Sequence, residues 1–546
     1  MERGIALGAV AMLVVAGAAV LGPRWRIPAP LILVAVGVAV SLLPGTGTFE
    51  LEPDVVLLAV LPPLLYASSV SLPTMDLRRE FGAVSGLSVL LVLLTALGLG
   101  GLLTALIPGL PFPAAVAVAA VISPTDAVAT SIVKGTGVSH RVTAILEGES
   151  LLNDATALVL LAAALEAASS GGALSAPALL GRFAFSVAVA AVIGFAVGRA
   201  SLAVRKRVGD TAVGTLLSFV VPFAASLPAE TLGASGLVAA VLAGLTVGRQ
   251  GPRELSPRQR TSDEQNWRTV SLALEGAVFL FMGLEIRAIA SGEAEAGRLG
   301  VAVGLGALAV VATLVLRSAF VVPLLWSLQL RRRRSTAFRS QLEQWQQQIA
   351  EGDPDVRTPL GHGRRRPMTE RQRTQFAQRV QQGLADVDYL AARPLGPREG
   401  AVVVWAGMRG AVTVAAALTL QGRTGFRDEG LLVLIAFAAA AISLLVQGGT
   451  LNGLIRVLRP AGDDPEQIQE ERDRIVELLR TTSDQQAPQA DGESGESFRR
   501  RHLRAQRIAL LDARDQGVFD SEVLGAALAS VDASEIALET RGGLRG

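Results

Sequence analysis

The densest group of polar and ionisable residues in this chain lies inside two long apolar stretches. Residues 123–126 read Ser-Pro-Thr-Asp, and residues 147–154 read Glu-Gly-Glu-Ser-Leu-Leu-Asn-Asp. An ionisable side chain at the centre of a bilayer costs roughly 2.5–3.5 kcal/mol on insertion scales, so such residues by default mark a functional site. Both stretches are therefore candidates for an ion site at membrane depth.

Pro124 predicts an interruption of the helix in the first of these stretches, because proline lacks the backbone donor that a continuous helix needs. Such a break frees carbonyl and amide groups that can bind an ion inside the membrane. Thr125 or Asp126 is alternatively a simple cap of the second half-helix. The two interpretations are compatible.

The second stretch arranges its polar residues on two neighbouring helix faces. Ser150 and Asp154 are four residues apart and share one face, whereas Glu149 and Asn153 share the next. The sequence stays apolar for several turns after Asp154, which places that carboxylate inside the membrane. Glu147 lies either within the span or at its cytoplasmic boundary.

A second interruption is predicted near the end of the chain, where residues 405–411 read Trp-Ala-Gly-Met-Arg-Gly-Ala. Interrupted helices at matching positions in two halves are typical of inverted-repeat transporters. Glu275 and Arg317 complete the set of ionisable residues within apolar segments. Because both signs of charge are present, ion pairing is the simpler interpretation for Glu275 and Arg409. Direct contact with a transported ion is the alternative.

Long apolar runs must position these residues. Half of the chain is hydrophobic and only 18% is charged, below the roughly 25% of soluble domains. A membrane-spanning helix needs about 20 apolar residues, so the sequence predicts an all-α polytopic membrane protein with about thirteen spans. The predicted spans cover residues 4–22, 27–44, 53–72, 82–108, 112–133, 151–168, 179–204, 211–228, 231–248, 269–288, 299–327, 398–420 and 430–456.

Composition divides the chain into four regions. They are a membrane transport domain with spans 1–11 (1–327), a polar cytoplasmic loop (328–397), a second membrane segment with spans 12–13 (398–456) and a charged cytoplasmic tail (457–546). Lys and Arg concentrate in alternate loops, starting with Arg24 and Arg26, and the positive-inside rule places these loops in the cytoplasm. We therefore expect an outside N-terminus and a cytoplasmic C-terminus.

Several classes of function are excluded or disfavoured by what the sequence lacks. The chain has no cysteine, which excludes disulfides and thiolate chemistry. No Walker-type phosphate loop occurs, which disfavours ATP-driven pumping, and the three scattered histidines suggest no metal centre. We expect neither an enzyme nor a cofactor, and the net charge of +2 gives no reason to expect a nucleic-acid partner.

The motifs resemble those of the cation/proton antiporter family that holds the NhaP-type antiporters of bacteria and archaea and the eukaryotic sodium/proton exchangers. The similar stretches are residues 62–65, 123–126, 147–154 and 407–410, together with Glu275 followed by Phe279 and Gly283. The resemblance implies the NhaA/NhaP-like antiporter fold, with inverted repeats and two broken, crossing helices. It also implies a homodimer in the lipid of a bacterial cell membrane, which exchanges Na⁺ or Li⁺ for H⁺ by alternating access and so serves pH homeostasis.

The resemblance further implies roles for individual residues. Asp154 would be the carboxylate that binds either the monovalent cation or the proton, and Thr125 and Ser150 would supply further oxygens. Asn153 would be the neutral neighbour that distinguishes electroneutral antiporters from electrogenic ones.

Other residues would support the site under the same resemblance. Glu149 would pair with Arg317 beside it, and Asp126 would steady the two crossed, unwound segments. Glu275 and Arg409 lie in motifs shared with the family.

One departure from the family leaves the transported cation open. Archaeal and eukaryotic members have an acid shortly after the proline pair, where this chain has Ala67 and Ser68. A K⁺/H⁺ antiporter of the same mechanism is therefore an alternative. A cation channel would need a continuous polar pathway, and a membrane sensor that has lost transport would not need the intact acidic site.

Overall fold

The computed structural model describes residues 2–25, 27–43, 55–170, 176–295, 297–350, 370–420, 424, 426–488 and 494–543, and its regular elements are all helical. We number the helices in chain order. They are α1 (Glu2–Trp25), α2 (Ala29–Ser41), α3 (Val56–Ser71), α4 (Thr74–Arg79), α5 (Phe81–Leu106), α6 (Phe112–Ile122), α7 (Ala127–Lys134), α8 (His140–Ser170), α9 (Ala176–Arg205), α10 (Thr211–Thr231), α11 (Gly236–Glu254), α12 (Pro257–Glu295), α13 (Leu299–Ala350), α14 (Glu370–Ala392), α15 (Pro397–Trp405), α16 (Ala411–Leu418), α17 (Glu429–Leu458), α18 (Pro465–Asp484), α19 (Gly495–Gln516) and α20 (Ser521–Gly543).

Nine segments of the described chain are long and apolar enough to cross a membrane, counting α6 and α7 together as one segment. The helices α2 and α3 are apolar but shorter. The remaining predicted spans coincide with α11 and with the interrupted pair α15 and α16. The all-α polytopic architecture is thus as predicted, whereas the number of thirteen spans stays a prediction.

The sixth predicted span begins earlier than hydropathy indicated. The prediction placed its start at residue 151, but α8 already begins at His140. Glu147, Glu149 and Ser150 lower the local hydropathy without breaking the helix. The polar motif of residues 147–154 therefore lies entirely on one continuous helix.

Both predicted helix interruptions are present in the structure. Residues 123–126 separate α6 from α7, and residues 406–410 separate α15 from α16. The two unwound segments meet, because the backbone N–H of Asp126 donates to the carbonyl oxygen of Met408 at 2.8 Å. The two broken helices therefore cross at this point.

Close backbone packing of small residues holds other helices together, as is usual in membranes. Gly37 on α2 faces Gly283 on α12. A Cβ atom added to Gly37 would lie 2.3 Å from the carbonyl oxygen of Leu280. Only glycine permits this approach, which brings α12 and its Glu275 close to the first helices.

The chain divides into two compact units. The first comprises Met1–Pro323 and Pro397–Ala461, and the second comprises Leu324–Gly396 and Gly462–Gly546. The second unit contains an apolar cluster that includes Ile475, Leu510 and Leu524. The four regions defined from composition stay predictions, since their boundaries were set on different grounds.

Candidate ion-binding site

A cavity of about 1380 Å³ enters the first unit and reaches the crossing of the broken helices. Five of the nine predicted site residues line it, namely Thr125, Asp126, Ser150, Asp154 and Glu275. They come from the α6–α7 break, from α8 and from α12. The fold therefore gathers residues that lie up to 150 positions apart in the sequence around one space.

Asp154 is a buried acid of this cavity for which the described part of the chain provides no counter-ion. The residue is 5% exposed, and its Oδ1 is buried without a hydrogen-bond partner among the described residues. A buried carboxylate without a partner is unfavourable, and it becomes stable when it takes up a proton or a cation. One turn earlier on α8, Ser150 lines the same wall, and its hydroxyl donates to the carbonyl oxygen of Glu147 at 3.2 Å.

Asp126 caps two half-helices at once. Its Oδ1 accepts from the N–H of Val128 at 3.0 Å, and its Oδ2 accepts from the N–H of Ala411 at 3.2 Å. These are the free N–H groups at the beginnings of α7 and α16, where helix dipoles favour a negative charge. Gly410 allows the contact, because a Cβ atom there would lie 1.2 Å from Asp126 Oδ2.

Asn153 binds Thr125 rather than facing the large cavity. Its Nδ2 donates to Thr125 Oγ1 at 2.6 Å and so fixes the hydroxyl that lines the cavity. Its Oδ1 is buried without a partner among the described residues. Asn153 lines a second, enclosed space of about 10 Å³ together with Glu149, Arg317 and Arg409. All nine predicted residues thus lie around two adjacent cavities.

A buried ion pair joins Glu149 to Arg317 in the wall of the small cavity. Arg317 Nη2 donates to Glu149 Oε2 at 2.7 Å, and Nη1 donates to Oε1. Their side chains are 1% and 3% exposed. Arg317 also donates to the carbonyl oxygen of Val403 through Nε at 3.0 Å and Nη2 at 2.9 Å. The pair therefore ties α8 and α13 to α15.

Among the residues that the structure describes, Arg409 pairs with no acid, contrary to the expected ion pair. Its Nε donates to the carbonyl oxygen of Ile122 at 2.9 Å, and its Nη1 donates to that of Gly407. Both carbonyls are free because the two helices end there. The guanidinium thus donates hydrogen bonds to backbone carbonyl groups that the helix breaks leave unpaired. Glu275, for which we also expected pairing, forms no ion pair with a described residue and instead lines the cavity.

Sequence reasoning missed an ion pair in the cavity wall between Lys134 and Glu147. The sequence left open whether Glu147 lies within the span or at its cytoplasmic boundary, and no pattern identified Lys134 as its partner. The spacing did indicate that Glu147 lies on the cavity side, because Glu147 and Asp154 are seven residues apart and so share a face of one helix.

The fold and the cavity define a multi-pass membrane transporter of small ions. A sequence model of the transmembrane domain of sodium/hydrogen exchangers matches residues 9–342, which is more than half of the 546 residues. The chain therefore belongs to the sodium/hydrogen exchanger family, whose members carry monovalent cations and protons.

Individual proteins agree with this assignment. The chain is 29% identical to an uncharacterized Na⁺/H⁺ exchanger of Mycobacterium tuberculosis over 497 residues, covering 89% of this chain and 80% of that protein. It is 32% identical to the sodium, potassium, lithium and rubidium/H⁺ antiporter of Bacillus subtilis over 268 residues, covering 48% and 40% of the two chains.

The fold is similar to the solved structure of the sodium proton antiporter MjNhaP1 from Methanocaldococcus jannaschii at pH 8. The TM-score is 0.55 at 15% identity, and the match covers 84% of this chain and 99% of the other. This similarity and the family match confirm the predicted NhaP-like antiporter fold and the family inferred from the motifs.

Proposed function

We propose that this protein exchanges Na⁺ for H⁺ across the cell membrane, with Asp154 as the group that carries each ion in turn. The observation that carries the proposal is the buried Asp154 carboxylate, which lies where a cavity meets two crossed, broken helices. Its Oδ1 has no hydrogen-bond partner in the described part of the chain. Family membership supports the pair of substrates.

The cation site comprises Asp154, Ser150 and Thr125, which present oxygen atoms to one cavity wall. Hard cations prefer oxygen ligands, and a carboxylate oxygen that holds a cation cannot hold a proton at the same time. Asp126 keeps the crossing rigid, and Asn153 orients Thr125 through the 2.6 Å hydrogen bond. Competition for Asp154 therefore couples the two fluxes.

The proposed exchange is electroneutral, with one proton for each cation. Asn153 carries no charge, and Arg317 is held by Glu149 and by the carbonyl oxygen of Val403. Glu149 is engaged by Arg317, so neither member of that pair is free to exchange ions. A single carboxylate that alternates between one cation and one proton moves no net charge per cycle.

The cavity extends from the crossing of the broken helices along α7 and α8, and Lys134 and His140 also line it. The positive-inside rule assigns these two residues to the cytoplasmic side, so we propose that this conformation is open to the inside. We also propose a cytoplasmic C-terminus, as the charge pattern of the loops predicts. Alternating access requires a second conformation open to the outside. We include in the proposal a homodimer within the lipid bilayer, as the family resemblance implies.

K⁺/H⁺ exchange by the same mechanism is the second candidate. The Bacillus subtilis relative is named for sodium, potassium, lithium and rubidium. In this chain Ala67 and Ser68 stand where several family members have an acid, and Ser68 lines the cavity. The set of oxygen ligands therefore differs from theirs.

The test is exchange by purified protein in proteoliposomes, with Na⁺, Li⁺ and K⁺ supplied in turn and lumenal pH recorded. Wild-type protein should acidify or alkalinise the lumen according to the imposed cation gradient, and Asp154→Asn should abolish this flux while remaining folded. Glu166→Gln is the matched control, because Glu166 lies on the same helix but pairs with Arg182 at an exposed position. Substantial exchange by Asp154→Asn would remove Asp154 from the mechanism.

A further inference from the structure

Lys134 and Glu147 form an ion pair in the wall of the large cavity, away from the point where the broken helices cross. Lys134 is the last residue of α7, and its side chain is 58% exposed, whereas that of Glu147 is 19% exposed. An ion pair with one largely exposed partner contributes little to stability and opens readily. The pair is therefore poorly explained as a structural support.

Glu147 lies on the same line of α8 as the proposed cation ligands. Glu147, Ser150 and Asp154 all line the cavity. At 1.5 Å of rise per residue, the backbone positions of Glu147 and Asp154 are about 10 Å apart along the helix axis. A cation that moves down this wall meets Glu147 first, then Ser150, then Asp154.

Other ionisable residues near this end of the cavity repel cations, so a cation needs a nearby carboxylate to enter. His140, Arg456 and Arg459 line the same cavity, and the two arginines repel cations. Asp76, which could offset them, is buried, and its Oδ2 accepts a hydrogen bond from His140 Nε2 at 2.9 Å. Glu147 is thus the carboxylate available to attract a cation at this position, and Lys134 neutralises it.

We propose that Glu147 is an entrance site for the transported cation and that Lys134 is its displaceable counter-ion. The incoming cation replaces the ammonium group on the Glu147 carboxylate before it passes to Asp154. Lys134 thereby sets the apparent affinity for the cation from the cytoplasmic side. This inference rests on the proposed function, and it adds a pair outside the exchange site that determines the apparent affinity for the cation.

The proposal is tested by Na⁺ titrations in everted membrane vesicles, in which the cytoplasmic face is accessible and the lumen is acidified beforehand. Lys134→Gln should lower the apparent KM for Na⁺ about two- to fifteenfold, because the Glu147 carboxylate is then no longer neutralised and attracts the cation. Coulomb's law gives this range for one charge at about 10 Å in media between water and a protein surface. Glu147→Gln should raise the KM by a similar factor. Both variants should retain the wild-type maximal rate.

The double variant shows whether Lys134 changes the KM through Glu147 or independently of it. If Lys134 acts by occupying Glu147, then Lys134→Gln has no further effect on the KM in the Glu147→Gln background. Lys206→Gln is the matched control, because the other lysine of the chain also pairs with a glutamate, Glu254, but does not line the cavity. This control should leave the KM unchanged.

Three outcomes would overturn the inference. An unchanged KM in Lys134→Gln, with active wild-type protein, refutes the entrance site and leaves the proposed function intact. An equal KM shift by Lys134→Gln with and without Glu147 shows that the lysine acts through its own field. Absence of any Na⁺-dependent proton flux in the wild type refutes both proposals. Misfolding is distinguishable, because it lowers the maximal rate and does not lower the KM.

Discussion

The buried ion pair between Glu149 and Arg317 gives the sharpest test of how this site is held together. Both side chains are almost fully buried, at 1% and 3% exposure. Removing one partner of such a pair leaves an uncompensated charge, which destabilises a protein by roughly 3–5 kcal/mol. We therefore expect both Glu149→Gln and Arg317→Gln to lower the unfolding temperature and the folded yield clearly.

The two single substitutions should differ in how strongly they destabilise the protein. Glu149→Gln leaves Arg317 its two hydrogen bonds to the carbonyl oxygen of Val403, whereas Arg317→Gln removes them as well. Each such bond is worth about 1 kcal/mol, so Arg317→Gln should be the more destabilising variant. The double variant buries no charge at this position and should be less destabilised than the sum of the two single variants, by about 0.5–3 kcal/mol.

The assay is thermal unfolding of the purified variants in one detergent, with folded yield measured by size-exclusion chromatography. Neutralising the exposed pair Glu166 and Arg182 in the same way provides the control, since exposed ion pairs contribute only about 0–1 kcal/mol. Strictly additive losses in the Glu149 and Arg317 cycle would show that the two charges do not stabilise each other, and the account of the site given above would then be wrong.

Three further predictions concern the exchange itself. Gly410→Ala should abolish exchange, because its Cβ atom would collide with Asp126 Oδ2, whereas Gly449→Ala, which meets no atom within 4 Å, should not change the rate in the same vesicle assay. Exchange should be insensitive to an imposed membrane potential, since one carboxylate alternates between two single charges; a rate that follows a valinomycin-clamped potential would contradict this. The apparent KM for Na⁺ should rise as pH falls, because protons and cations compete for Asp154; a KM independent of pH, measured with matched gradients, would refute simple competition.

Much of the fold was predictable because the responsible signals are local. Apolar runs predicted the apolar helices, and Pro124 predicted the first helix break. The glycines at 407 and 410 gave the second break. By contrast, the start of α8 was misplaced, since Glu147 and Glu149 lower hydropathy on a helix whose polar face lines a cavity and buries an ion pair.

The contacts that assemble the site depend on residues far apart in the chain. Asp126 accepts from the N–H of Ala411, 285 positions away, and no local pattern specifies that pairing. Arg409 was expected to pair with an acid because opposite charges usually meet in apolar surroundings. Its actual partners are carbonyl groups of Ile122 and Gly407, which are available only because two helices end at the crossing.

The charge balance around the crossing is the reason why we propose Asp154, rather than Glu149 or Asp126, as the ion-exchanging carboxylate. Glu149 is neutralised by Arg317, and Asp126 is stabilised by the N–H groups that begin two half-helices. Both acids thus have permanent compensation built into the fold. Asp154 has a buried oxygen without such a partner among the described residues, so its charge is compensated only when a mobile ion arrives. Under the proposed function, either a proton or a cation supplies that compensation, so the two ions compete for Asp154 and are exchanged for one another.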